Sequence, residues 1–423
     1  NAALGGEQCS AVFPGAFEPK PPHFKPRAKS VISLFMSGGP SQVDTFDYKP
    51  ALTKYAGVPL EDLIGEKFAV RQGMPGPLMP SPFEFKQHGQ CGKHISSIFP
   101  RLAKHVDRMA FIHSGHTESN NHSPALFMMN CGLPRMGYPC VGSWVTYGLG
   151  SSSDSLPAFV VMSDPKGRGL PKGHAANWGA GFLPSVYQGT HFRPTGDPID
   201  NLYRPREMNP DQQRRQLDLL RHLNQKHLDA NPYEEELAAR IESFELAYRM
   251  QSAAPEALAV DQEPEHIKKL YGLYDDKCKH IASQCLTARR MIERGVRFVQ
   301  IYSGGMENQR SWDGHNDIKG NHSQFAAETD KPVAGLIADL AQRGLLNETL
   351  IVWGGEFGRT PMSENRATPG RNHHIDAFSM WFAGGGIRSG NIVGETDEFG
   401  FGAIDRECHV HDLHATILHL LGI

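Results

Sequence analysis

Val31-Ile-Ser-Leu-Phe-Met36, running into Ser37-Gly-Gly-Pro-Ser41, is a short apolar, β-favouring run that ends in a glycine turn. Such a run reads as a buried strand feeding a loop. The theme recurs along the chain. Met109-Ala-Phe-Ile-His113 precedes a helical stretch at 123–130, and Ala158-Phe-Val-Val-Met162 stops at Ser163-Asp-Pro. Arg297-Phe-Val-Gln-Ile-Tyr302 ends in Ser303-Gly-Gly, Thr349-Leu-Ile-Val-Trp353 in Gly354-Gly355, and Phe378-Ser-Met-Trp-Phe-Ala383 in three glycines. Helices are predicted at 285–294, 333–343 and 413–421, each followed by glycine, a common C-terminal stop. Strand, glycine loop and helix in alternation predict an α/β fold, with a mostly parallel central sheet flanked by helices. Ligands of such sheets gather at the carboxyl ends of the strands. The loops after residues 36, 113, 302, 353 and 383 are therefore expected to converge.

Residues 1–30, rich in Pro, Gly and Lys, read as an irregular arm, and 31–423 as a single domain with a loop-rich and helical insertion at about 164–290. Within it, 164–203 is dense in Gly and Pro. Leu217, Leu220, Leu223 and Leu228, then Leu237, Ile241, Phe244 and Tyr248, mark amphipathic helices. Of 423 residues, 39% are hydrophobic and 21% charged, with a formal charge of −3. That balance excludes a basic nucleic-acid footprint, and the absence of an 18-residue apolar run excludes a membrane-spanning helix. Seven cysteines include no CxxC pair, which excludes a zinc ribbon. Cys131 with Cys140, and Cys278 with Cys285, are close enough in sequence to bridge, but buried free thiols are the preferred reading.

The polar residues after the strands are selective in type. They include Asp44 and Asp47, then His116-Thr117-Glu-Ser-Asn120-Asn121-His122, Asp313-Gly-His315, Gly355-Glu356-Phe-Gly-Arg359, and Arg371-Asn-His373-His374. Asp, Glu and His are the oxygen and nitrogen donors for a divalent cation. Loops that only cap helices would carry Ser, Asn and Thr instead. Thr117 is expected near a helix N-terminus. There it is either a cation-activated nucleophile or a plain N-cap. Asn120 or Asn121 is placed to donate to an ester oxygen, and Arg359 or Arg371 to hold an anion. His411 and His414 read as core or capping histidines.

Phe35-Met-Ser-Gly-Gly-Pro-Ser-Gln-Val-Asp-Thr-Phe-Asp47, His116-Thr-Glu-Ser-Asn-Asn-His122, Trp312-Asp-Gly-His315, Trp353-Gly-Gly-Glu-Phe-Gly-Arg359 and the segment His411 to Gly422 together resemble the domain-of-unknown-function 1501 family. That family is sulfatase-like and belongs to the alkaline-phosphatase superfamily. The resemblance implies a metal carboxylate at Asp44 or Asp47, a nucleophile at Thr117, and further metal ligands at Asp313, His315, Glu356 and His373. It implies a divalent metal, zinc first, with calcium or manganese as alternatives. It also implies an exported, periplasmic or extracellular protein, because members usually carry a twin-arginine leader. The chain departs from the superfamily pattern in holding Ser37-Gly-Gly where the first carboxylate usually sits. It also lacks a Cys-x-Pro-x-Arg element, so a formylglycine sulfatase mechanism is not supported.

The expected activity is metal-dependent hydrolysis of phosphate or sulfate esters of a small molecule or glycan. The alternative is a non-catalytic binding or scaffold protein on the same fold. A glycan-binding form would use Trp144, Trp178 and Trp312 along a groove.

Overall fold

A computed structural model describes residues 17–65, 75–193, 198–199, 202–231, 235–364 and 366–423. The first sixteen residues of the expected arm, Cys9, and the side chains of Leu237 and Ile241 lie outside the described set.

Nine strands form the central sheet: β1 (Ser30–Met36), β2 (Met109–His116), β3 (Phe159–Met162), β4 (Thr190–Phe192), β5 (Phe298–Ser303), β6 (Thr349–Gly354), β7 (Phe378–Gly384), β8 (Ile392–Val393) and β9 (Cys408–His409). Their order is β8-β2-β7-β6-β1-β5-β3-β4, with β9 also paired to β2. Among the described residues, the strand pairings of this sheet are parallel except those of β7 with β2 and β6, so the fold is α/β with a mostly parallel sheet.

Both faces of the sheet are covered, which is why β1 reads as continuously apolar rather than alternating. Ile32, Leu34 and Met36 face one core, with Trp353, Trp381, Leu286 of helix α3 (Lys279–Glu293) and Leu336 of helix α4 (Ile318–Gln342). Val31 and Phe35 face the other. That second core holds Leu126, Val145 and Leu413, from helices α1 (His122–Cys131), α2 (Val141–Leu149) and α5 (Val410–Leu421).

Four expectations need correction. The loop after 383 does not join the others, because β7 runs against its neighbours. No helix separates β6 from β7, so the chain leaves and re-enters the sheet by the same edge and must run antiparallel. The residues just before β7, including His373, take the place at that edge. Helix α4 begins at Ile318, fifteen residues earlier than predicted, and passes through Pro332. Buried Phe325, Ala326 and Thr329 anchor that first half and outweigh the proline's helix-breaking tendency. In the helix Pro210–Ala230, Leu217 and Leu228 are half-buried but Leu220 and Leu223 are exposed, so the covered face is narrower than the leucine spacing implies. Trp178 and Trp312 are buried, which removes both from any sugar-binding groove, whereas Trp144 is exposed.

The 164–203 excursion contains two 3₁₀ turns, His174–Trp178 and Ser185–Tyr187, and contributes β4 to the sheet edge. Cys91, Cys131, Cys140, Cys278, Cys285 and Cys408 are all free thiols. No described helix is long and apolar enough to cross a membrane.

Asp330 of α4 ties this layer to β2. Its buried carboxylate accepts the backbone N–H groups of Arg101 (3.0 and 3.1 Å) and Leu102 (2.8 Å), at the head of the turn leading into β2. Burial raises its pKa to about 6. The folded state therefore binds this proton more tightly than the unfolded chain. The stabilisation is full below the unfolded pKa and is lost as pH rises through about 6. Asp330→Asn keeps an acceptor oxygen without the charge. Between about pH 4 and pH 7 the wild type should lose on the order of 2 kcal/mol relative to this variant in denaturant unfolding. Parallel pH–stability curves for the two proteins would contradict the assignment.

Candidate metal centre

Three loops and one hairpin meet at the carboxyl edge. The Ser37–Gly39 turn follows β1 and has Gly38 at φ +104°. A Cβ on Gly38 would lie 2.5 Å from the Asp313 backbone nitrogen, so glycine is needed for the two loops to approach. The Trp312 backbone N–H donates to the Ser37 carbonyl (2.8 Å), and the buried Trp312 ring packs among Phe99, Phe325 and Trp353. This anchors the adjacent Asp313. The strands Gly358–Glu364 and Arg371–His374 form an antiparallel hairpin that sets Arg359 opposite His373. The fourth contributor is His122, the first residue of α1.

Asp313 is 1% exposed and is the hub. Its Oδ1 accepts from Arg359 Nη2 at 2.7 Å and lies 3.1 Å from His315 Nε2 and 3.2 Å from His373 Nε2. Its Oδ2 accepts the Asn308 N–H (2.6 Å) and lies 3.3 Å from His122 Nε2, without hydrogen-bond alignment. The two facing nitrogens of His315 and His373 are 2.8 Å apart. Ligand atoms of His122, Asp313 and His373 all lie within 4.8 Å of one another.

Each imidazole is also backed on its far side by an oxygen. His122 Nδ1 donates to Glu356 Oε1 (2.7 Å), and His373 Nδ1 donates to the Asn120 carbonyl (2.6 Å). His315 Nδ1 lies 3.0 Å from Glu364 Oε1, without hydrogen-bond alignment. A carbonyl oxygen only accepts, so His373 carries its proton on Nδ1. Burial lowers the pKa of His373 to about 3, so the ring is neutral and presents the Nε2 lone pair inward. Burial acts on Asp313 in the opposite sense, but Arg359 and the surrounding histidines hold its carboxyl far below the usual range. Burial also disfavours charge on His122, yet Asp313 and Glu356 on either side raise its pKa to about 9.

This donor set fits a divalent cation. Tetrahedral Zn–N or Zn–O bonds of about 2.0–2.1 Å place neighbouring donors roughly 3.3 Å apart. Buried His122 Nε2 has no hydrogen-bond partner, as expected of a ligand atom without its ion. The centre opens onto a polar cavity whose lining includes Asn121, Asn308, Glu364, Arg366 and Asn372.

The expected residues divide accordingly. Asp313, His315 and His373 are brought together. Glu356 is buried behind His122, and its two oxygens accept the Gly38 N–H at 2.9 and 3.1 Å, so it faces away from the donor centre. Asp44 lies in a separate network. It is 0% exposed, paired with Arg371 at 2.6 and 3.2 Å, and accepts from Ser41. Burial pushes the Asp44 carboxyl up, but Arg371 and Ser41 hold it below its usual value. Asp47 pairs with Lys49 and Thr396.

Arg359 does not line the cavity. Its guanidinium donates to the carbonyls of Gly38, Gly39 and Arg371 as well as to Asp313, which leaves no fork for an anion. Thr117 is five residues ahead of α1, not at its N-terminus, because β2 extends to His116. Its hydroxyl is buried without a hydrogen-bond partner and does not border the cavity. Asn120 enters through its carbonyl rather than its amide, and Asn121 lines the cavity.

Sequence reasoning missed His122 as a donor and Glu364 as a backing carboxylate. His122 carried a usable signal in standing immediately before the helix predicted at 123–130. Glu364 had none, because its role depends on the hairpin register. A second acidic group, Asp164, His280 and Glu328, is a different kind of cluster. Arg168 bridges both carboxylates at 2.7–2.9 Å and Lys166 adds a contact at 3.0 Å, so the negative charge is already neutralised by protein cations.

No curated protein matches this chain. Among solved structures it is similar to the alkaline phosphatase of the Antarctic bacterium TAB5, with 10% identity, a TM-score of 0.36, and 94% and 99% of the two chains covered. It is also similar to the PsFucS1 sulfatase of Pseudoalteromonas sp., with 11% identity, a TM-score of 0.39, and coverage of 95% of this chain and 68% of that one. A third is the phosphonate monoester hydrolase SpPMH of Silicibacter pomeroyi, with 12% identity, a TM-score of 0.36, and coverage of 77% and 68%. The family model described as a protein of unknown function, DUF1501, matches residues 28–423, and the chain belongs to that family.

Proposed function

We propose that this protein is a metal-dependent hydrolase of phosphate or sulfate esters, with His122, Asp313, His315 and His373 holding one divalent cation. The observation that carries the reading is the convergence of three imidazole nitrogens on one buried carboxylate, with His122 and His373 hydrogen-bonded to an oxygen on the far side and His315 lying 3.0 Å from Glu364. Backing oxygens of this kind fix the tautomer and aim of a ligating histidine. The His122 proton, held between Asp313 and Glu356, offsets the charge of these carboxylates, and a cation held by the same residues would do so in its place. When bound, a divalent cation supplies Lewis-acid polarisation of an ester oxygen. Asn121, Asn308 and Asn372 line the cavity and would orient the substrate's oxygens. Thr117 is the nucleophile of this proposal. Its support is a buried hydroxyl without a partner, on the segment that also carries Asn121 and His122.

A second reading, a metal-binding protein without hydrolytic activity, is favoured by two specific features. Arg359 spends four of its five donors on the protein itself and does not line the cavity, and Thr117 stands back from the cavity lining.

Metal-loaded protein should hold about one zinc, manganese or calcium ion per chain by elemental analysis, and Asp313→Asn should hold almost none. Glu364→Gln should bind the ion about 10–100-fold more weakly, since backing groups typically matter by that factor. Asp44→Asn should keep the ion but lose roughly 3–5 kcal/mol in unfolding, because it leaves the Arg371 charge buried without its partner. Turnover of aryl phosphates, phosphodiesters and sulfate esters should fall by orders of magnitude in Thr117→Ala with metal content unchanged. Equal turnover by wild type and Thr117→Ala removes the threonine from the mechanism. No turnover by a fully loaded wild type favours the second reading.

A further inference from the structure

An unusual surface lies away from the metal centre, on α2 and the loops around it. Tyr138, Phe182, Trp144, Tyr147 and Tyr187 form an unbroken row of rings. Successive centroids are 6.1, 5.8, 6.0 and 5.3 Å apart, and each pair is edge-to-face at 71–87°. Phe182 is 63% exposed, Tyr147 43% and Trp144 37%, so the middle of the row faces solvent. A contiguous exposed aromatic feature marks a binding site more often than chance. Edge-to-face contacts also hold each ring at a fixed angle before anything binds.

The ends of the row are cationic. Lys20 Nζ donates to the Tyr147 carbonyl (2.8 Å) and lies 5.0 and 5.7 Å from the centres of the Tyr147 and Tyr187 rings, and the Arg135 guanidinium is 5.2 Å from that of Tyr138. Arg135 is exposed, donates to the Tyr138 hydroxyl (2.8 Å), and has no carboxylate partner among the described residues. The sequence around the row shares this bias. Neither 119–153 nor 165–196, the two segments that supply all five rings and Arg135, contains any Asp or Glu.

We infer that this row is a binding surface for a negatively charged polysaccharide. A sugar ring offers a face of C–H groups that stacks on an aromatic face, and hydroxyls that hydrogen-bond to tyrosine and indole tips. A row one ring wide matches a linear polymer, whereas a stable protein partner would need about 800 Å² on each side. Sulfate or carboxylate groups on the polymer meet Arg135 at one end and the Lys20 charge towards the other, and the two ring-bearing segments contribute no carboxylate of their own. The inference is independent of the metal site, since none of these residues contacts it.

The test uses affinity electrophoresis of the full chain in gels carrying dextran sulfate, unmodified dextran or inorganic polyphosphate, together with sedimentation with phosphatidylglycerol vesicles. Dextran sulfate should retard the protein strongly, dextran weakly, and polyphosphate and vesicles little. Trp144→Ala with Phe182→Ala should weaken dextran sulfate binding about tenfold or more, and Arg135→Ala alone several-fold, without loss of bound metal. The single Phe182→Ala change, at the most exposed ring, tests the row if the double variant fails to fold. Equal retardation by polyphosphate, unchanged binding by the aromatic variants, binding to vesicles in place of polysaccharide, or no binding at all would each overturn the inference.

Discussion

A single buried carboxylate organises the functional edge of this molecule. Asp313 is placed where water cannot solvate it, so its charge must be matched by protein or by a bound cation. Arg359 supplies one match through a short ion pair. Three imidazoles surround the remaining lone pairs. The loops that carry these groups are fixed by contacts unrelated to charge, chiefly the packing of Trp312 and the close approach permitted by Gly38. The site is thereby held rigid by a packed core at its back, while its open side faces a polar cavity.

Two arginines illustrate how burial decides roles. Arg359 and Arg371 are both fully buried, each held by several carbonyls and one aspartate. Neither resembles an arginine waiting for an anion. They act instead as internal counterions that let Asp313 and Asp44 stay charged within the fold. The two pairs are not equivalent: Asp44 is enclosed by Arg371 and Ser41, whereas Asp313 also faces three imidazole nitrogens beside a polar cavity.

The sheet was legible in the sequence because burial on both faces leaves uninterrupted apolar strands such as Val31 to Met36, each closed by glycine. So was the gathering of Asp313, His315 and His373, since their loops follow or precede those strands. The direction of β7 was less obvious, although the missing helix between Trp353 and Phe378 is the feature that reverses it. Asp44 and Arg359 were open to misreading because residue type does not reveal the partner. A carboxylate and a guanidinium near a site look alike whether they face a ligand or each other. The backing role of Glu364 depends on pairing within a hairpin, and the aromatic row depends on two segments meeting; neither has a local signature.

The central claim concerns the ion's immediate neighbours, and X-ray absorption at the zinc edge of loaded protein reads them directly. The account predicts three imidazole nitrogens and at least one carboxylate oxygen at about 2.0–2.1 Å. Sulfur scattering, or a shell with no imidazole signature, would contradict it.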